Sequence, residues 1–185
     1  FTEALYETNA VVVQRSGPLP DTLARLLPGQ MPTQTVSLSA KPVRRPADLG
    51  GKEVTLPSDD PYVERLVELE TRIPGEIEVV EVDTTTESLI RQVATGAIEL
   101  TVAQENVAEL EEGTYSNISV RPVIGAPHGV AWAVRDNAPQ LRAALDDWIR
   151  EHREGSRWNQ LYTKYYVDRR GYRERAETGY LTGET

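Results

Sequence analysis

The sequence predicts an α/β fold in which a mainly parallel sheet is flanked by helices. The first observation is a β-branched apolar run, Ala10–Val13, which is typical of a buried strand. The second is an alternation of short apolar runs with helical patterns from residue 53 to residue 123. Such alternation indicates parallel strands joined by helices that cover the faces of the sheet. The third is a pair of amphipathic helical patterns that follow Pro139.

The predicted elements follow from apolar spacing and from glycine and proline breakers. The predicted strands are Ala10–Val13, Glu53–Leu56, Ile77–Val82, Ile98–Ala103, Ile118–Val123 and Val130–Val134. The predicted helices are Asp21–Leu27, a helix with Val63, Leu66, Val67 and Ile73 on one face, Thr86–Thr95, a turn at Val107–Leu110, a helix capped by Asn137 and Ala138 before Pro139, and Ser156–Tyr166. The first of the last two helices is expected to bury Leu141, Ala144, Leu145, Trp148 and Ile149. The second presents Trp158, Leu161, Tyr162 and Tyr165, and Trp158 is expected in the core.

Composition excludes several classes of function. The net charge of −9 argues against binding to a phosphate backbone. The sequence has no cysteine, and its two histidines, His128 and His152, are far apart, so we expect no metal site and no cofactor. No apolar stretch approaches the roughly 20 residues of a membrane span. Because the sequence starts at Phe1 without a signal peptide, we expect a processed or excised piece of a longer protein.

Three stretches carry a family resemblance. Residues 48–54 read DLGGKEV, residues 89–99 read LIRQVATGAIE, and residues 129–135 read GVAWAVR, followed by LYTKYY at 161–166. In this order and spacing they resemble the family 3 extracellular solute-binding proteins, which have the two-lobed type 2 periplasmic-binding fold and serve polar amino acids. The likeness covers about residues 48 to 166, and the first residues, FTEALY, resemble the crossover between the lobes.

The resemblance implies a domain organisation. Residues 1–15 would be a crossover strand from lobe one, and residues 16–122 would be lobe two with a long loop at 28–47. Residues 123–166 would be the return strand and closing helices of lobe one, and the polar residues 167–185 a linker. A ligand would be captured between the lobes by hinge closure.

A narrower resemblance concerns the return strand and the end of the chain. Trp132, Tyr165, Tyr166 and the arginine-rich tail resemble the solute-binding-like module of the membrane-bound lytic transglycosylase F family. This implies a location in the periplasm, or at the outer membrane facing the periplasm, and a transglycosylase domain elsewhere in the polypeptide. The partner would be a small polar ligand or a muropeptide. The alternatives are a regulatory or scaffold domain that binds no free solute, and a stand-alone amino-acid-binding protein of an ABC transporter.

Two turns after predicted strands are candidate ligand sites. The backbone N–H groups of Ser58 and Asp59, at the start of a helix, suit a ligand carboxylate; alternatively, one of these residues only caps the helix. The hydroxyls of Thr84 and Thr85 lie at the edge where open α/β sheets bind ligands; alternatively, a threonine of this turn is the N-cap of the next helix.

A third candidate position follows the strand Ile98–Ala103. Gln104 stands where the resemblance implies an aspartate for a ligand ammonium group, and an amide cannot neutralise a cation. Either the ligand lacks a free α-amine, or Glu105 supplies the charge, or the site is vestigial, or Gln104 is a surface residue. Tyr6 and Trp132 are candidates for lining the cleft between lobes, although an aromatic in a strand is more often part of the core.

No residue is expected to be catalytic. The pair Glu87 and Ser88 matches the general acid and the following serine of lytic transglycosylases, but it opens an exposed amphipathic helix. A general acid needs a buried cleft that raises its pKa. We therefore expect a binding module and no active site in this chain.

Overall fold

The computed structural model describes residues 1–18 and 41–167. Two compact units contain them: Asn9–Ala126, and Phe1–Thr8 with the described residues from Pro127 to Val167. The helix predicted at Asp21–Leu27, most of the loop predicted at 28–47, and the tail after Val167 lie outside the described residues.

The described strands and helices alternate through the middle of the chain. The strands are β1 Tyr6–Arg15, β2 Glu53–Pro57, β3 Glu78–Val82, β4 Leu100–Gln104, β5 Ile118–Ser119 and β6 Val123–Val130. The helices are α1 Tyr62–Glu70, α2 Thr86–Thr95, α3 Glu105–Thr114, α4 Pro139–His152 and α5 Ser156–Tyr162, with a 3-10 turn at Pro46–Leu49 and a π-helical turn at Thr163–Val167. None of these helices combines the length and the apolar composition that crossing a membrane requires.

The sheet has the order β3-β2-β4-β1-β5, and β6 pairs with β1. Strand β2 is parallel to β3 and β4, whereas β1 is antiparallel to β4 and β5. The predicted α/β fold is confirmed, and the sheet is mixed. Helix crossovers connect β2, β3 and β4, which makes these strands parallel. No helix crossover fixes the direction of β1, and local periodicity does not report it.

Two apolar cores lie on the two faces of this sheet. Ala10 and Val12 of β1 belong to one core, and Val11 and Val13 belong to the other, because successive side chains of a strand point to opposite faces. The first core also holds Leu49, Val54, Leu56, Tyr62, Leu66, Leu100, Val102 and Ile124. The second also holds Ile90, Val93, Ala94, Ala103, Ala108, Tyr115, Ile118 and Val120.

In the unit that contains Phe1–Thr8, the first residues are bonded to α4. The Glu3 N–H donates to Asp146 Oδ1 at 2.7 Å, and Arg150 Nε donates to Glu3 Oε1 at 2.8 Å. Thr2 and Trp132 exchange two hydrogen bonds, from the Thr2 N–H to the Trp132 carbonyl and from the Trp132 N–H to Thr2 Oγ1. The N-terminal residues are therefore an integral part of this unit.

Two predicted strands and one predicted cap were misplaced. The run Ile118–Val123 is divided between β5 and β6, because Pro122 has no N–H to donate to a continuous ladder. The strand predicted at 130–134 ends at Val130, and residues 131–135 have no regular structure. Ala138 is the N-cap of α4 without a side-chain hydrogen bond, so Asn137 does not cap it.

The prediction that α4 buries its apolar face and that Trp158 of α5 lies in the core was also largely wrong. Ile149 is 1% exposed, but Leu141, Trp148, Leu161 and Tyr165 are 50%, 43%, 43% and 46% exposed. Ala144 is exposed, and Leu145, Tyr162 and Trp158 are intermediate. In α1, Val67 is 55% exposed, and Ile73 lies beyond the end of the helix at Glu70. Helical periodicity identifies an apolar face but not the surface that covers it.

The segment before β2 requires glycine at residue 50 for a steric reason. Leu49 is fully buried, and a Cβ on Gly50 would collide with the backbone carbonyl oxygen of Pro74. A Cβ on Gly17 would meet nothing within 4 Å. Of these two positions, residue 50 therefore has no room for a side chain and residue 17 has room.

We predict that Gly50→Ala lowers the free energy of unfolding by about 1–3 kcal/mol, because two backbone segments must move apart. Gly17→Ala is the matched control, and it should leave that free energy unchanged or raise it slightly. Urea unfolding followed by circular dichroism measures both. Equal midpoints for the two variants would contradict the close approach at Gly50.

Candidate functional site

In the unit Asn9–Ala126, three parallel strands end at one edge of the sheet. Pro57, the last residue of β2, pairs with Val82, the last residue of β3. On the other side of β2, Thr55 pairs with Thr101 of β4, and β4 ends at Gln104.

Open α/β sheets bind ligands beyond the carboxyl ends of their strands. The predicted residues at or directly after these ends are Ser58, Asp59, Thr84, Thr85, Gln104 and Glu105. We call this surface the carboxyl edge.

At the end of β2, both backbone amides expected to hold a ligand carboxylate are engaged within the protein. The Ser58 N–H donates to the Val82 carbonyl at 2.9 Å. Asp59 has a left-handed backbone with φ of 58°, and its N–H donates to Glu81 Oε2 at 3.1 Å. An anionic ligand at Asp59 would therefore have to displace the Glu81 carboxylate.

Neither Ser58 nor Asp59 caps α1. The helix begins at Tyr62 after Pro61, and Asp60 Oδ1 accepts a hydrogen bond from the Tyr62 N–H at 2.8 Å. Burial raises the pKa of Asp60, the hydrogen bond from Tyr62 opposes that shift, and repulsion by Glu81 adds to it. Because Asp59, Asp60 and Glu81 are all acidic, this turn favours a cationic group over an anionic one.

At the end of β3, the threonine turn starts α2. Thr85 Oγ1 accepts a hydrogen bond from the Ser88 N–H at 3.3 Å, and Gly96 ends the helix in a left-handed conformation. The predicted N-cap within this turn is confirmed. The Thr84 N–H donates to the Val82 carbonyl at 2.9 Å. Of the two threonine hydroxyls, that of Thr84 can bind a ligand without breaking the N-cap, because the cap is made by Thr85.

At the end of β4, Gln104 is the N-cap residue of α3, but its side chain makes no capping hydrogen bond. The neighbouring Glu105 accepts hydrogen bonds from Asn9 Nδ2 at 2.6 Å and from Arg121 Nη1 at 3.4 Å. The Glu105 side chain is 23% exposed and that of Arg121 is 63% exposed. A partly exposed pair of this length is weak, so the Glu105 carboxylate is held mainly by Asn9.

Three side chains that were not predicted contact residues of the carboxyl edge: Asn9, Glu81 and Arg121. Asn9 reaches Glu105 only because β1 runs antiparallel beside β4, with Ala10 paired with Gln104. Glu81 is next to the strand end by the parallel register of β2 and β3. A prediction of sheet order would have been needed to find them.

Tyr6 and Trp132 belong to the other compact unit. The Tyr6 ring lies 5.9 Å from the rings of Tyr162 and of Tyr166. Burial, followed by a hydrogen bond with Tyr6, raises the pKa of Tyr166. Trp132 is 43% exposed, and its ring stacks 6.1 Å from that of Trp148. The two predicted aromatics therefore lie in separate aromatic clusters of that unit.

Glu87, which has the residue type of a transglycosylase general acid, is exposed in the first turn of α2. Within residues 1–18 and 41–167, no group of three acidic, histidine or cysteine side chains is placed to hold a metal ion. The chemistry of the carboxyl edge is that of hydrogen bonding and ion pairing.

Two curated sequence relatives have the same name. Membrane-bound lytic murein transglycosylase F of Desulfosudis oleivorans is 33% identical over 122 residues, which are 66% of this chain and 27% of that protein. The protein of this name from Stutzerimonas stutzeri is 28% identical over 134 residues, 69% of this chain and 27% of that protein. The chain thus spans about a quarter of the length of these relatives. No family model matches it.

Solved structures with a similar fold are amino-acid-binding proteins. The substrate-binding protein of an amino acid ABC transporter matches with a TM-score of 0.64 and 14% identity, over 91% of this chain and 63% of that one. An ancestral arginine-binding protein bound to glutamine matches with a TM-score of 0.61 and 16% identity, over 90% and 63%. The chain therefore has the fold of these solute-binding proteins and spans less than two thirds of their length. The predicted resemblance is confirmed.

We predict that Asp60→Asn raises the free energy of unfolding at neutral pH. The amide oxygen still accepts the hydrogen bond from Tyr62, while the charge that is penalised by burial and repelled by Glu81 is removed. Because the pKa of Asp60 is raised by folding, the wild type recovers this stability as the pH falls through that pKa. The difference should therefore be largest at neutral pH and should shrink towards about pH 4.

Urea unfolding at several pH values measures this difference, and Asp83→Asn, an exposed neighbour on the same edge, is the control. A less stable Asp60→Asn at neutral pH, or the same pH profile for both variants, would contradict the cost assigned to Asp60.

Proposed function

We propose that this chain is a non-catalytic module that binds a small polar ligand, either amino-acid-like or a cell-wall peptide. We propose further that it is part of a multidomain lytic transglycosylase in the periplasm or at the outer membrane facing the periplasm. The observation that carries the binding function is the convergence of polar residues from β2, β3 and β4 at the carboxyl edge. The name shared by the sequence relatives supports the wider context.

The polarity of the carboxyl edge supports a particular kind of ligand. Asp59, Glu81 and Glu105 supply carboxylates, and Thr84 and Gln104 supply a hydroxyl and an amide. Asn9 holds Glu105 through Oε2 at 2.6 Å, so Glu105 would have to turn from this hydrogen bond to take the place of the aspartate expected at residue 104. A ligand with an acylated amine has no ammonium group and needs no carboxylate partner at residue 104. We therefore favour N-acylated ligands, such as the peptide stems of peptidoglycan, over free amino acids.

The domain organisation is part of the proposal. We assign the unit Asn9–Ala126 to lobe two and the other unit to the part of lobe one that this chain carries. The exposed apolar face of α4 and α5, with Leu141, Trp148 and Leu161, supports this assignment. It offers a surface against which the unmatched part of the solved binding proteins would pack.

One observation favours a second candidate, a regulatory or scaffold domain that binds no free solute. The amides of Ser58 and Asp59 are bonded to Val82 and Glu81, and the acidic turn repels a carboxylate. A site without a free anion cradle would not hold an α-carboxylate. Binding measurements on the protein separate the two candidates.

We predict that free amino acids bind weakly and that Gln104→Asp strengthens their binding. The aspartate restores a charge-assisted hydrogen bond to the ammonium group, worth about 1.5–3 kcal/mol, or about one to two orders of magnitude in affinity. Calorimetry of the full-length gene product with free and N-acetylated amino acids measures this. N-acetylated ligands should bind the unmodified protein better and should gain nothing from Gln104→Asp.

Two controls make the result specific. Glu109→Asp, on the same helix, leaves the carboxyl edge unchanged and should not alter any affinity. Glu105→Gln tests whether that carboxylate serves as the ammonium partner. Tight binding of a free amino acid that survives Glu105→Gln would overturn the argument from Gln104, and no binding by any ligand would favour the scaffold candidate.

We also predict that the chain as printed releases no anhydro-muropeptides from purified peptidoglycan. The only pair with the expected catalytic residue types, Glu87 and Ser88, is at an exposed helix start, where water stabilises the ionised acid. Chromatography of the soluble products measures release, with a known lytic transglycosylase as the positive control. Release that is lost in Glu87→Gln would show that the chain is catalytic.

A further inference from the structure

A basic cavity lies in the unit Asn9–Ala126, apart from the carboxyl edge. Its volume is about 460 Å³, within the range typical of small-molecule sites. Arg15, Arg44 and Arg121 line it, together with the hydroxyl residues Ser16 and Ser119, and none of the described residues that line it is acidic. In a chain with a net charge of −9, three guanidinium groups around one cavity are a local reversal of charge.

The strand directions show that the cavity lies at the edge of the sheet opposite the carboxyl edge. Gln14 of β1 pairs with Leu100, the first residue of β4, whereas Ala10 pairs with Gln104, the last. Arg15 and Ser119 are therefore at the amino ends of the parallel strands, with Gln14 paired with Ser119 on β5.

The buried side chain of Gln14 fixes the cavity wall. Its Nε2 donates to the carbonyl oxygens of Val43 at 2.6 Å and Arg121 at 3.0 Å, and its Oε1 accepts from the Val43 N–H at 2.9 Å. Gln14 is 7% exposed, so these hydrogen bonds are shielded from water. The backbone segments that carry Arg44 and Arg121 are thereby tied to β1.

Arg44 and Arg121 have little competition from carboxylates of the described residues. Among the described residues, no carboxylate forms an ion pair with the Arg44 guanidinium; the nearby Asp48 accepts from the backbone N–H groups of Arg44 and Arg45 and pairs with the Arg45 side chain. Arg121 is 63% exposed, and the ion pair it forms within the described ranges is the 3.4 Å contact with Glu105. Both side chains can therefore turn to an anion at small cost.

We infer that this cavity is a second binding site, for a small organic anion that carries two or more negative charges on carboxylate or phosphate groups. Guanidinium groups bind both oxyanions through paired hydrogen bonds, and serine hydroxyls donate to the remaining oxygens. The inference does not rest on the proposed function, because the residues that line the cavity are not those of the carboxyl edge. The two sites are linked by one contact, between Arg121 and Glu105.

The test is calorimetry of the full chain with two probes, citrate for carboxylates and pyrophosphate for phosphates, at constant ionic strength. We expect saturable binding of at least one probe, and the stronger probe identifies the oxyanion class. Arg44→Gln should weaken it by about tenfold or more, since a charge-assisted contact is lost. Arg72→Gln is the matched control, because Arg72 is an exposed arginine that pairs with Glu68 outside the cavity.

Amide NMR locates the bound probe. The resonances of Ser16 and Ser119 should shift, while those of Ser58 and Thr85 at the carboxyl edge should not. No saturable binding of either probe, equal weakening by Arg44→Gln and Arg72→Gln, or shifts confined to the carboxyl edge would each overturn the inference.

Discussion

The structure of the larger unit depends on the burial of β1 on both of its faces. Ala10, Val11, Val12 and Val13 are fully buried, and they alternate between the two apolar cores. The same strand pairs with β4 on one side and with β5 and β6 on the other. A polar residue at any of these four positions would lose its hydration without a partner, so these four positions require apolar side chains.

Local patterns predicted the elements of the fold better than their pairing. The strand of valines, the helix Thr86–Thr95 with its threonine cap and glycine end, and the α/β alternation all follow from spacing and capping chemistry. The antiparallel direction of β1 does not, and neither does the hydrogen bond from Asn9 to Glu105, whose residues are 96 positions apart. Long-range pairing is decided by the global packing of cores, which a single sequence reports only through a family resemblance.

The candidate site shows the same division. Strand and helix positions identified the turns after β2 and β3, and the resemblance identified the position after β4; all three lie at one edge of the sheet. The state of each polar group there depends on neighbours from other strands. Glu81 occupies the amide of Asp59, and Asn9 holds Glu105. Residue type and strand position predicted where the polar groups lie, but not which of them are already satisfied within the protein.

The hydrogen bonds of Gln14 favour glutamine over its nearest alternatives at that position. The side chain donates to two carbonyl oxygens and accepts from one N–H at a position that is 7% exposed. Glutamate has the right length but no donor in its ionised form, leucine has neither group, and asparagine is one methylene shorter. Homologues in which one side chain of β1 bonds to both of these backbone segments should therefore retain glutamine at this position.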